Sequence, residues 1–294
     1  MRAIFPALLL LTAAAAAQTT SGPIVVSAAQ IEQIRQNAKA SQGARPSAAQ
    51  PIIAAQPYVL NLEHRTGGTG ASIHSGEAEV IMILDGAGTI TTGGSLVDAV
   101  NGTNGNISGK DISGGIVLHA VKGDMVIVPQ GTPHMMVPDA QGALVLATLH
   151  LPRNEPAPSV AANPPKLVTR AADLPAMIEK AKAAAATSPR FFGGETLLSL
   201  APYRVGLEYR TPKGIASVHK NDGEFMLVLE GEGVIVTGGT VVNPKDLGAN
   251  IDGEAIAGGV DNRMKKGDWI FVPKGLPHLA RTDGTFVLAT LHVP

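Results

Sequence analysis

SIHSGEAEVIMILDG, residues 72–86, sets one imidazole and one carboxylate at a fixed interval just before a strongly apolar strand. The same pattern returns as SVHKNDGEFMLVLEG at 217–231, so that His74, Glu79 and Gly86 map onto His219, Glu224 and Gly231 at a constant offset of 145 residues. A second block travels with the first. GDMVIVPQGTPH, from Gly123 to His134, recurs as GDWIFVPKGLPH, from Gly267 to His278, at an offset of 144. Each copy has a Gly at a tight turn, an apolar strand, then Pro, Gly and a Pro-His pair. Repetition of whole supersecondary units predicts two similar domains.

A chain of 294 residues has room for both. Hydrophobic residues at 45% supply two cores, while 16% charged residues and a net charge of −1 give no basis for a nucleic-acid or anionic-membrane partner. Arg2, the apolar run Ala3 to Ala16 and the small residues before Gln18 read as a secretory signal peptide over 1–17, which predicts a secreted or periplasmic protein with no membrane attachment once it is cleaved. There is no cysteine, so thiol catalysis is excluded, disulfides play no part, and any metal must be held by nitrogen and oxygen.

The expected organisation is an N-terminal domain over 18–152, a Pro-rich linker over 153–168 and a C-terminal domain over 169–294. Ser27 and Gln30 have capping-box spacing ahead of Ile31, Ile34 and Ala38, which predicts a short helix ending at Gly43. Its counterpart starts at Asp173, expected as the N-cap, with Leu174, Ile178 and Ala181 on one face. YVLNLEHR at 58–65 and YRVGLEYR at 203–210 open the β-rich part of each copy. Between the motif blocks lie Gly- and Asn-rich insertions, 87–122 and 232–266, which read as long loops at a barrel rim. A retained Gly-Gly pair in each, Gly114-Gly115 and Gly258-Gly259, points to a hairpin inside the loop.

Six of the eight histidines fall into three repeated pairs: His74 with His219, His134 with His278, and His150 with His292. His64 and His119 have no repeated partner and read as structural. The two blocks resemble the motifs of the cupin superfamily, and the chain is similar to its two-barrel members, the bicupins. The second His, the Glu and the closing Gly of the family's first motif fall on His74, Glu79 and Gly86, and on His219, Glu224 and Gly231. Its second motif falls on Gly123, Pro129, Gly131 and His134, and on Gly267, Pro273, Gly275 and His278. Ser72 and Ser217 stand where the family commonly has its first His, and Pro138 and Thr282 where it has a closing Asn.

The resemblance implies an all-β fold of two tandem double-stranded β-helix, or jelly-roll, barrels, each here preceded by a short helix. It further implies a divalent metal, Fe, Mn, Zn, Ni or Cu, on His74, Glu79 and His134 in one barrel and on His219, Glu224 and His278 in the other. Strand parity agrees, because Ser72 and His74 share a face and only the barrel interior lets them meet Glu79 and His134. A carboxylate buried beside imidazoles is costly without a cation. His150, His292, Arg65 and Arg210 are further candidates for catalysis or substrate orientation. The functional expectation is a metal-dependent oxygenase, decarboxylase, isomerase or lyase acting on a small organic molecule. The alternative is a non-catalytic small-molecule binding or sensing protein with structural metal sites. The resemblance also allows a homo-oligomer.

Overall fold

The computed structural model describes residues 22–140, 142–153 and 164–294. The signal-peptide reading of 1–17 and most of the Pro-rich linker lie outside the described residues. Strands dominate, with two α-helices, α1 (Ala28–Gln42) and α2 (Leu174–Ala185). The predicted capping box at the start of α1 is made: Ser27 Oγ accepts from Gln30 N at 3.3 Å, and Gln30 Oε1 accepts from Ser27 N at 2.8 Å. Gly43 ends the helix at φ 58°. At α2 the expected Asp173 cap is corrected. Asp173 already has helical φ and ψ, −83° and −21°, as the last residue of a 3-10 turn over Ala171–Asp173, and its side chain makes no capping bond.

The first barrel is built from two six-stranded antiparallel sheets. One runs Val168–Thr169, Met125–Val128, Glu77–Asp85, Leu144–Pro152, Tyr58–Arg65, Ser47–Ala55 in spatial order, and the other Ile116–Val121, Ala87–Thr92, His134–Pro138, Ala71–Ile73, Ile107–Gly109, Val100–Asn101. The second barrel repeats this plan. There the long strand Gly223–Thr237 runs through both faces and joins them into one hydrogen-bonded network.

Alternation explains the near-continuous apolar run EVIMIL. Ile81 and Ile83 pack inside the first barrel with Val126, Val128, Leu144 and Leu146. Val80, Met82 and Leu84 point the other way, into a cluster shared with Phe225, Leu227, Leu291 and Trp269 of the second barrel. The two barrels therefore lie back to back, and each central strand is buried on both faces. The second barrel mirrors this, with Met226, Val228, Phe286 and Leu288 inside and Phe225, Leu227, Val287 and Ala289 in the shared layer.

The motif-closing glycines answer a close approach of backbone. Gly86 and Gly231 have φ of 77° and 75°, and a Cβ on them would sit 1.9 Å and 1.8 Å from the carbonyl oxygens of Ala143 and Thr285. The insertions correct the loop reading. In place of open loops, 87–122 supplies the sheet strands Ala87–Thr92, Val100–Asn101, Ile107–Gly109 and Ile116–Val121, with a hairpin of Ser95–Val97 and Asp111–Ser113 between the Gly-Gly turns. Its small polar residues lie on short, half-exposed strands whose outer faces need no apolar alternation.

Each helix is preceded by a strand that pairs with the other barrel. Ile24–Val26 pairs with Trp269–Val272, and Val168–Thr169 pairs with Met125–Val128. Asp268 and Asp124, buried in the turns before those strands, accept from Ala28 N and Ala171 N, both at 2.7 Å. Tyrosines cross in the same reciprocal way: Tyr58 Oη donates to Pro294 O at 2.9 Å, and Tyr203 Oη donates to Pro152 O.

Candidate metal centres

The parity that sends Ile81 and Ile83 inward sends Glu79 inward too. Leu144 and Leu146 carry His150 in the same way, and in the ladder His150 stands directly opposite Glu79. His74 follows the short strand Ala71–Ile73, and His134 begins the strand that pairs Ser72. Four side chains thus meet at one end of the barrel. Glu79 Oε2 lies 3.0 Å from His134 Nε2 and 3.8 Å from His74 Nε2, and Oε1 lies 3.8 Å from His150 Nε2. The second barrel repeats the arrangement around Glu224, with His278 Nε2 at 3.2 Å, His219 Nε2 at 3.5 Å and His292 Nε2 at 3.6 Å. Glu79 and Glu224 are each only 3% exposed, so both carboxylates are shielded from bulk solvent.

The structure brings together all six residues of the two sequence-derived triads and adds a third imidazole to each, from His150 and His292. Ser72 and Ser217, on the strand just before, are not within these sets. Ser217 Oγ instead donates to Asp252 Oδ1 at 3.0 Å. Arg65 and Arg210 occupy matching positions but differ in their bonding. Arg65 is consumed, with Nε and Nη2 on Glu63 at 2.9 and 2.6 Å and Nη1 on Thr69 at 2.8 Å. Arg210 pairs through Nη2 with Glu208, leans over the Phe192 ring at 4.8 Å, and keeps a buried Nε without a hydrogen-bond partner. His64 bonds Gln42 of α1 at 2.6 Å and His119 lies near Asp139 on the surface, as structural residues. Met136 packs in the barrel core.

Outer partners hold the rings. His134 Nδ1 donates to Thr132 O at 3.1 Å and His278 Nδ1 to Leu276 O at 3.2 Å, which points each Nε2 at the carboxylate. His219 Nδ1 donates to Asn250 Oδ1 at 3.0 Å. Asn250 and its counterpart Asn106 were missed in the sequence, although Asn-Ile recurs at 106–107 and 250–251 inside two otherwise rewritten insertions.

Electrostatics tie the groups together. Burial alone would raise the Glu79 carboxyl, but the His134 imidazole outweighs it and holds Glu79 below its ordinary range. Burial likewise opposes charge on His134, and contact with Glu79 reverses that and raises it. His74 is pushed down by burial. In the second barrel Glu224 is held well below the carboxylate range by His219 and His278 against the effect of burial, and Glu224 raises His219 in the same way. Even so, Glu79 Oε2, His74 Nδ1 and His150 Nδ1 are buried with no aligned hydrogen-bond partner. Imidazole nitrogens and a carboxylate oxygen with unspent lone pairs fit a divalent cation. The second cluster opens into a cavity of about 320 Å³, lined also by Arg190, Phe192, Glu208, Arg210 and Asp222.

No protein-family model and no curated protein sequence matches the chain. Solved structures do. The salicylate 1,2-dioxygenase of Pseudaminobacter salicylatoxidans aligns with a TM-score of 0.64 over 99% of this chain and 89% of its own, at 12% identity. The same enzyme with gentisate gives 0.60 over 92% and 81%, also at 12% identity. A cupin 2 conserved barrel domain protein from Leptotrichia buccalis gives 0.52 over 84% and 89%, at 10% identity. Two barrels aligned along nearly the whole chain show that it shares the fold of these structures, a tandem pair of cupin-type barrels.

Proposed function

We propose that this protein is a metal-dependent enzyme that holds a divalent cation in each barrel and transforms a small organic molecule beside the cluster of the second. The observation that carries the reading is the set of buried, inward-facing donors: three imidazoles and one carboxylate per barrel, with Glu79 Oε2 lacking an aligned partner. His74, Glu79, His134 and His150 would hold one ion, and His219, Glu224, His278 and His292 the other. When bound, the cation supplies Lewis acidity and open coordination positions. The chain's own residues do the rest. Backbone carbonyls fix the His134 and His278 rings, Asn250 fixes His219, and the cavity wall of Phe192 and Arg210 orients what enters.

Among the chemistries found on this fold, oxygenation of a hydroxylated or carboxylated small molecule is the one we favour. The alignment with a dioxygenase that binds gentisate runs over most of both barrels and supports it. Decarboxylation, isomerisation and lyase chemistry are the other arms of the screen. We also propose export with cleavage before Gln18, which intact mass of the secreted protein checks. The decisive experiment is elemental analysis of protein purified without added metal, followed by oxygen uptake with a panel of small hydroxy acids and phenols. About two equivalents of metal per chain are expected. A value near zero that does not rise on reconstitution would overturn the enzyme reading and leave a metal-free binding protein.

A further inference from the structure

The two barrels are copies, yet their clusters differ by one carboxylate. In the first barrel Glu77 precedes Glu79 by two residues on the same strand and therefore shares its face. Its Oε2 lies 3.1 Å from His150 Nδ1. A ligating atom from each of His74, Glu77 and His150 lies within 4.8 Å of the others, a second convergence beside the one at Glu79. Glu77 Oε2 thus stands at the Nδ1 edge of His150, opposite the Nε2 that faces Glu79.

The second barrel lacks this. Asp222, one methylene shorter, stands at the equivalent position, and the converging set there is His219, Glu224 and His292. Among the described residues, the carboxylate within ion-pair distance of His292 is Glu224 alone. His292 is also more open, at 42% exposed against 31% for His150.

We propose that Glu77 backs His150 as an outer carboxylate of the first barrel's metal centre, which makes that barrel the tighter of two unequal cation sites and leaves the second as the one that exchanges ligands. This rests on the metal reading above. Glu77 holds the His150 ring from its Nδ1 side and makes the Nε2 that faces Glu79 the stronger ligand, which tightens a divalent cation there. In the second barrel Asp222 lines the cavity beside the centre without pairing with His292, so that ring has no such support and the centre is the more open to a ligand oxygen. The cavity is next to that centre, and Phe192 and Arg210 line it. The barrels thus divide the work: one retains its ion, and the other admits the small molecule.

The test is calorimetric titration of the chelator-stripped full chain with Mn2+. The wild type is expected to bind in two steps of one equivalent each, and Glu79→Gln and Glu224→Gln assign the steps to barrels. Glu77→Gln should weaken the tighter step by about 10–100-fold, the range for loss of a carboxylate that supports a ligating histidine. Asp222→Asn should leave both steps within about twofold, and Asp222→Glu should tighten the weaker one. Circular dichroism of each metal-free variant separates misfolding from loss of a donor. Two equal steps, or a Glu77→Gln variant that titrates like the wild type, would overturn the inequality while leaving the metal reading intact. Binding of neither equivalent would overturn both.

Discussion

Replacing Glu224 by Gln isolates what one buried carboxylate contributes to the second centre. The side chain is 3% exposed and faces three imidazole Nε2 atoms at 3.2, 3.5 and 3.6 Å, so the substitution keeps volume and removes one negative charge and one anionic donor. Loss of an outer carboxylate weakens metal affinity by about 10–100-fold, so loss of a carboxylate inside the donor set should cost at least about 100-fold. With free metal at 100 times the wild-type Kd, binding stabilises the wild type by about 2.7 kcal/mol. A variant bound 100-fold more weakly retains only about 0.4 kcal/mol under the same conditions. The difference of about 2.3 kcal/mol corresponds to roughly 5–9 °C in melting temperature for a unit of this size. The assay is the metal-induced shift of Tm, with and without chelator, so any change in the metal-free protein cancels. A Glu224→Gln variant with the full wild-type shift would refute the assignment of this carboxylate to a cation.

Protons and cation compete for the same lone pairs, which fixes the sign of the pH dependence. Without metal, Glu224 raises His219 above its ordinary 6.5 in the folded state. That contribution to stability is complete below pH 6.5 and fades as pH rises through the folded value. Glu224, held well below 4.5, contributes above that pH and loses its contribution as pH falls through its own depressed value. The metal-induced rise in Tm should therefore grow from about pH 6 to about pH 8 as protons leave the histidines, and a shift that shrinks over that interval would contradict imidazole ligation. Asp124, 1% exposed, accepts from Ala171 N, Arg170 Nη1 and Val121 N at 2.7, 2.9 and 3.1 Å. Asp124→Ala should cost about 1–3 kcal/mol by removing the shared acceptor of three hydrogen bonds, one of them from a charged group. Urea unfolding measures it, and a loss below about 1 kcal/mol would mean that the strand Val168–Thr169 is held by its ladder alone.

The sequence carried the barrels because the motif residues have mechanical reasons to recur. Gly86 and Gly231 are pressed against a neighbouring carbonyl, and Glu79 and Glu224 are locked in phase with the inward isoleucines, methionine and valine of their strands. His150 and His292 were harder to assign, since what brings them to the cluster is a cross-strand register with Glu79 and Glu224. No sequence spacing encodes that register. Their phase with Leu144 and Leu146, and with Phe286 and Leu288, was nevertheless a readable sign that they point inward. The insertions misled through composition. Gly, Asn and Ser suggested loops, while backbone ladders with little apolar content were enough to hold short strands. The exchanged strands Ile24–Val26 and Val168–Thr169 left no local trace, because three or two residues show no periodicity.

That exchange gives the chain the form of a dimer made covalent. Each half lends the other a strand and a tyrosine, as two identical subunits with swapped arms would. A one-barrel chain with the same arm would find the pairing edge for it on a second copy. Joining the two copies end to end then freed each barrel from having to be identical to the other. One position could keep a glutamate and the other drift to aspartate without loss of the assembly. The swapped arms thus hold two halves that no longer match in sequence within a single, nearly symmetric frame.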